Sequence, residues 1–522
     1  MPFKHGELAV QELSSARHQA RDAADLARHG KKQRFERNFG FLSMLGFTTT
    51  MMCTWEAVLF ANPTAMLDGG PATLVYGYLF CWFGALVTAM SLAELASMAP
   101  TSSGQYHWVA MLAPKSHAVF LSWVTGWVDM IGWWANTATG VYFGATLTQG
   151  LLVLNYPGYN YQRWHGTLLM FAELGICVLV NSIGARLLPK VEGLILIIHT
   201  MGFFAVLIPL VYLAPHQDAS FVFGSFINNS GWSSAGLTWL IGLMGTNLPF
   251  IGYDGPCHMA EEVVNASVVV PWCMIGTILL NGSLGFAIVL AFLFCIGDME
   301  KALDSATGYD FIEVFFNATR SHAGTSVMTA IPTALVICAS FGFLASTSRL
   351  TWAFARDKGV PFADYFSHVS TTNAVPLRAV GLAALITACI CVINVGSSAA
   401  FSAFVSLTTA GLFLSYMIPI TLLVIRRVRR QPIPFGPWTL GRGGIVVNLA
   451  SIAFLTITIF FSFFPSELPV TAVNMNWSVV VFFGELFIGL AWYVVRGRHV
   501  YHGPIVETGG DEDSHSGLAV GL

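Results

Sequence analysis

The chain has 522 residues, of which 55% are hydrophobic and only 10% charged, and its formal net charge is −3. A water-soluble domain carries about 25% charged residues because its surface must face water, so this composition excludes one and calls for a lipid bilayer. The 25 Lys and Arg nearly balance the 28 Asp and Glu, which gives no bulk charge for a nucleic-acid partner.

In chain order, the first 38 residues alternate charged and small side chains without a short apolar core or a small-residue cleavage site. They read as a cytoplasmic tail, with the first apolar run acting as an uncleaved insertion signal. Twelve runs of membrane-spanning length follow, at about 40–62, 72–97, 119–153, 164–184, 193–214, 235–258, 270–297, 326–350, 377–395, 401–425, 445–464 and 476–496. They predict an all-α polytopic membrane domain over 39–498. The third run is too long for one perpendicular crossing: at 1.5 Å per residue it reaches roughly 50 Å against about 30 Å of hydrocarbon, so it tilts or projects into water. The stretch 499–522, with Gly510-Asp511-Glu512-Asp513-Ser514, reads as a second cytoplasmic tail without order.

An even number of spans puts both termini on one side. Every Lys and Arg except Arg163, Lys301 and Arg320 then lies on that side, which the positive-inside rule makes cytoplasmic. The sequons Asn228-Asn229-Ser230 and Asn317-Ala318-Thr319 fall in outer loops, open to glycosylation. All nine cysteines sit inside apolar runs, against a disulfide framework and against metal-ligand spacing. No cofactor motif is found. The absence of a G-x-x-x-x-G-K-[ST] pattern excludes a nucleotide-driven motor in this sequence.

Two runs, the first and the sixth, are interrupted at mid-depth, by Cys53-Thr54-Trp55-Glu56 and by Gly252-Tyr253-Asp254-Gly255-Pro256. Backbone groups in a bilayer need internal partners, so Gly and Pro beside a carboxylate are tolerated there only where the chain lines a protected cavity. Two breaks five spans apart predict an inverted repeat whose first helices are both broken around one binding site. Candidate substrate contacts are therefore Thr54, Trp55, Glu56, Gly252, Tyr253 and Asp254, joined by Trp134 and Asn136 from the third run. Aromatic faces attract ammonium groups, although the same tryptophans equally suit packing.

A charge within a span costs on the order of 2.5–3.5 kcal/mol on insertion scales, so each one carries information. Glu56, Asp129, Glu173, Asp254 and Glu485 lie well inside, with His199 as the histidine deep within its span. Glu173 and Glu485 read as structural, and Glu94 as a solvated lock or hinge at a cytoplasmic end. Glu56 fits either substrate contact or a protonated carboxyl bonded within the bundle; Asp254 fits either substrate contact or a helix cap. His199 is a proton-coupling candidate, its alternative being a neutral ring bonded to a backbone carbonyl. The acidic pair beyond His258, Glu261 and Glu262, reads as an inner gate or loop contact. With no Lys or Arg at a span centre, the site favours a substrate carrying positive charge, alone or as a zwitterion.

SLAELASMAPTSSGQYHWVAMLAP (91–114) is similar to the signature of the amino acid–polyamine–organocation permeases, in the eukaryotic branch that includes fungal choline and γ-aminobutyrate permeases. WHGTLLMFAELGICVLVNSIGARLLPKVE (164–192), FIGYDGPCHMAEEV (250–263) and STSRLTWAFARDKGVPF (346–362) resemble that branch in order and spacing. The resemblance implies a LeuT-type fold of five plus five inverted spans with two further helices, secondary active transport, and proton coupling. Where many relatives carry a Gly-rich first break, this chain reads Thr48-Thr49-Thr50-Met51-Met52-Cys53-Thr54-Trp55-Glu56-Ala57, which resembles a cation-recognising variant. The expected protein is a plasma-membrane importer, or a vacuolar one, of an amino acid, γ-aminobutyrate or choline. A nutrient sensor that has kept the fold without net transport is the other reading.

Overall fold

The computed structural model describes residues 18–370, 374–396, 400–472 and 474–507; the acidic stretch 510–514 lies outside them. The fold is all-α. A single two-residue pairing, Asp68–Gly69 with Ile227–Asn228, is the one sheet among the described residues. Among the described residues, ten helices are long and apolar enough to cross a membrane. The other two expected runs are helical but fall short by that measure. The third, Ala118–Asn155, is one unbroken 38-residue helix rich in Gly, Thr and Trp, and the sixth is broken into Ala235–Asn247, Leu248–Phe250 and Gly255–His258.

Burial orders the helices. The first span is 94% buried within the protein and the twelfth only 17%, so the first lies at the centre of the bundle and the twelfth at its rim. The third helix lies along the eighth, His322–Arg356, and the tenth, Ala400–Val428. A methyl group added at Gly411 would stand 2.5 Å from the Cα of Gly132, so these two glycines let the third and tenth backbones touch, as small residues do where lipid supplies no hydrophobic drive. The first span leans on the fifth, Leu188–Leu213, and the seventh, Ala266–Cys295.

The two described ends meet on one face. Residues 18–28 form a helix beneath the bundle. The stretch after Arg498, expected to trail free, is packed as far as Glu507. Tyr501 is buried with its hydroxyl 2.6 Å from Ser122, Ile505 N–H donates to Asp357, and Glu507 accepts from Lys32 N–H and pairs with Arg34. Its terminal residues had no apolar periodicity to betray this, because they are held by backbone bonds and single ion pairs. On the opposite face, Asn228 is exposed in the short ribbon, whereas Asn317 is half-buried on the helix Asp310–Thr319 and bonded to Glu313.

Candidate functional site

Both predicted breaks are present, and they face each other. The first span stops at Met52, turns at Cys53 with φ 49° and ψ 42°, and resumes at Thr54. A non-glycine residue in this left-handed region is uncommon and is retained only where its surroundings enforce it. The sixth span passes through Ile251 in extended geometry and Gly252 at φ 99°. Thr54 donates its hydroxyl to the Pro249 carbonyl over 2.7 Å, tying one break to the other. The Met51 thioether lies against Gly255, where an added methyl would meet its terminal carbon at 2.0 Å. A side-chain carbon at Gly252 would stand 3.8 Å from Phe343 and 3.9 Å from Asn136 Nδ2.

Asn136 Nδ2, beside Gly252, is a buried donor lacking an acceptor, and a buried unpaired donor costs about 1–3 kcal/mol. Trp55 Nε1 and Trp134 Nε1 are also buried and unpaired, but the Trp55 ring lies against His199, and Trp134, two positions before Asn136, falls on the other side of the third helix. The first amides of a helix point along its axis without intrahelical acceptors, and two half-helices start at the breaks. The donors suit a substrate carboxylate, hydroxyl or carbonyl. Asn247, unpaired at both amide atoms, was not singled out in the sequence. Tyr253 is buried with its ring 5.6 Å from Tyr416, so it packs behind the break.

Glu56 and His199, predicted separately, are in contact. His199 Nδ1 is 2.7 Å from Glu56 Oε1, its Nε2 is 3.2 Å from Asn281 Oδ1, and Asn281 Nδ2 donates to the Thr49 carbonyl over 2.9 Å. These bonds define the protons. Since Asn281 spends its amide hydrogens on Thr49, its oxygen accepts, so His199 Nε2 carries a hydrogen. Nδ1 then meets Glu56 with one proton shared between them, either as carboxyl and neutral ring or as carboxylate and imidazolium. Removing that proton would set two lone pairs against each other at 2.7 Å, so the contact and the proton are lost together. Of the two readings the sequence left open for Glu56, substrate contact or a carboxyl bonded within the bundle, the contact with His199 is of the second kind, and Glu56 Oε2 is buried without a partner.

Asp254 is the hub of a second buried cluster. It accepts from Gln105 Nε2 at 2.7 Å, Trp133 Nε1 at 3.3 Å and the Tyr416 hydroxyl at 2.5 Å. His258 Nε2 lies 3.4 Å from Asp254 and 3.9 Å from Asp129, which accepts from Ser415 at 3.0 Å. His258 Nδ1 faces the Ser102 carbonyl at 3.3 Å. Asp129, Asp254 and His258 bring ligand atoms within 4.8 Å of one another, but the surrounding amide, indole and phenol groups aim hydrogens at Asp254, which suits a shared proton and opposes a metal ion. His258, placed by sequence at a cytoplasmic exit, is as buried as His199. Its spacing of four from Asp254 was the available signal.

Of the remaining span carboxylates, Glu485, read as structural, has Oε2 buried without a partner, while two others are anchored individually. Glu173 accepts from Ser340 at 3.0 Å. Glu94, expected to be solvated, is buried, ion-paired with Arg427 at 2.6 Å and bonded to Thr439 and Leu440 N–H. Glu261 pairs with Arg356 and Glu262 with Arg349, beside the fully buried pair Lys31 and Asp357, so the predicted acidic gate has basic partners. No Lys or Arg pairs with Glu56, Asp129 or Asp254 among the described residues.

Comparison with known proteins accords with this geometry. A family model described as amino acid permease matches residues 39–484. The chain is similar to an amino-acid permease of Arabidopsis thaliana, 31% identical over 91% of this chain and 95% of that one. It is also similar to a choline transporter of Saccharomyces cerevisiae, 28% identical over 89% and 82%. An amino-acid permease of Neurospora crassa is 28% identical over 91% and 87%.

Proposed function

Since this chain belongs to the amino acid permease family, we propose that it is a secondary active transporter importing a small amino compound, with a proton as the coupling ion. The substrate carries a positive charge, alone or within a zwitterion, and belongs to the class of amino acids, γ-aminobutyrate and choline. The observation that carries this reading is the apposition of two helix breaks, tied by Thr54 and Pro249, beside the unpartnered amide donor of Asn136. This donor receives the anionic or polar end of the substrate, while the carbonyl ends of the half-helices favour its ammonium. Relatives named as amino-acid permeases and a choline transporter support the same class.

The shared proton of Glu56 and His199 supports coupling, because its loss undoes a contact between the first and fifth spans. The face bearing both described ends is assigned to the cytoplasm on the basis of its basic residues; the location proposed is the plasma membrane, with the vacuolar membrane as the alternative. On this assignment 39–498 is the permease domain, and 1–38 and 499–522 are its tails. Uptake by a host lacking its own permeases tests the reading. Glu56→Gln should raise the concentration for half-maximal uptake roughly tenfold or more, the scale of one charge-assisted hydrogen bond, and should flatten the dependence on an inward proton gradient. Unchanged kinetics with normal surface expression would remove Glu56 from both roles.

A further inference from the structure

The fifth span carries a second buried titratable group, Glu192, two turns before His199. Seven residues span about 10 Å and return to the same side of a helix, so both side chains address the first span, one on each side of its break. Glu192 Oε2 accepts the Thr50 hydroxyl at 2.7 Å, and Oε1 is buried without a partner. The backbones are close: an added methyl at Gly46 would stand 3.0 Å from the Glu192 carbonyl oxygen. The other titratable groups around it are few. Cys338 on the eighth span lies near both Glu192 and Glu173. Lys190 is on its own helix and exposed, and His199 is engaged by Glu56 and Asn281. Beyond the break the first span brings Cys53 and Glu56. No ion pair includes Glu192 among the described residues, and the hydrogen bond it receives comes from Thr50 alone.

A buried carboxylate with one neutral donor and no cation is costly, so Glu192 holds a proton in this arrangement. Thr50 belongs to the half-helix Phe41–Met52, which ends at the left-handed turn of Cys53. We infer that Glu192 is a binding site for the coupling proton on the termini-bearing side of the Glu56 and His199 pair, gated by movement of this half-helix. Swinging about Cys53 withdraws Thr50 and admits water. The carboxyl O–H bond then breaks, its electron pair stays on the oxygen, and the proton passes to water, leaving a hydrated carboxylate. Return of the half-helix requires reprotonation. This rests on the proton-coupled reading proposed above.

The full chain in proteoliposomes separates the possibilities. Wild type is first tested for accumulation under an inward proton gradient; indifference to that gradient overturns the parent reading and this one with it. Glu192→Gln keeps the shape and the bond from Thr50. It should retain substrate counterflow at equal pH while losing gradient-driven accumulation roughly tenfold or more, and Glu192→Asp should recover part of the accumulation. Infrared difference spectra of wild type against Glu192→Gln should show the loss of one protonated-carboxyl band at neutral pH. Full accumulation by Glu192→Gln, equal loss of counterflow and accumulation, or an unchanged carboxyl band would each overturn the assignment while leaving proton coupling intact.

Discussion

At the scale of single residues, the charged groups sort by their partners and not by depth alone. Asp254 meets four polar side chains from three other segments of the chain and from its own helix. Asp254→Asn preserves the volume and removes the charge that Gln105, Trp133, Tyr416 and His258 address. It should lower stability by about 1.5–3 kcal/mol, the scale of a hydrogen bond to a charged group, read as an earlier unfolding midpoint in detergent; an unchanged midpoint would deny the hub role. The spacing of Asp254 and His258 was legible in sequence, since four residues share a helix face. Asp129 and Tyr416 were not, because their approach depends on how the third and tenth helices cross. The same limit hid the contact of Glu56 with His199, across 143 residues.

At the scale of elements, the two broken helices were readable because Gly, Pro and a carboxylate at membrane depth leave few other structures. The third helix is the reverse case. Apolar length located it, but its hydropathy falls short because protein surrounds it, and Thr139, Thr137, Asn136 and Gly132 face neighbours in place of lipid. The close crossing of Gly132 and Gly411 carried no periodic signal among many glycines. Gly411→Val should force the third and tenth helices apart, at a cost of about 1–3 kcal/mol typical of overpacking. A lowered thermal midpoint for Gly411→Val, beside an unchanged one for Gly381→Val where the added carbon meets nothing within 4 Å, is the expected pair of results. Equal midpoints would show that the crossing tolerates separation.

At the scale of the whole molecule, the two faces differ in their protons. On the termini-bearing face burial, aided by Arg28, lowers the pKa of His29 from 6.5 to about 4. Burial would raise Asp357, but Lys31 and Arg356 outweigh it and hold it below its ordinary value; burial of Glu507 is likewise outweighed by its bonds to Lys32 and Arg34. For all three, the undocked chain binds protons that the docked one refuses, so stability present at higher pH is lost on acidification. For His29 the window runs from pH 6.5 to about 4. On the opposite face burial raises Asp68 and Asp310 to about 7, so their contribution is present at low pH and lost as pH rises through 7. Hydrogen exchange should therefore quicken in 18–37 and 499–507 as pH falls from 6.5, after correction for intrinsic rates, while the ribbon at Asp68 slows. Parallel behaviour of both faces would contradict the assignment. The basic residues 28–37 read in sequence as an orientation signal; that Lys31 and Arg34 also clamp Asp357 and Glu507 needed the folded chain.

The most direct test of gradient-driven transport is uptake of labelled choline, γ-aminobutyrate, and basic and neutral amino acids by the purified full chain in proteoliposomes, under imposed proton and sodium gradients. Accumulation of at least one of these compounds above equilibrium with an inward proton gradient, abolished by collapsing it, is the predicted result. Binding of a compound without any net flux, or accumulation that follows sodium and ignores the proton gradient, would contradict it.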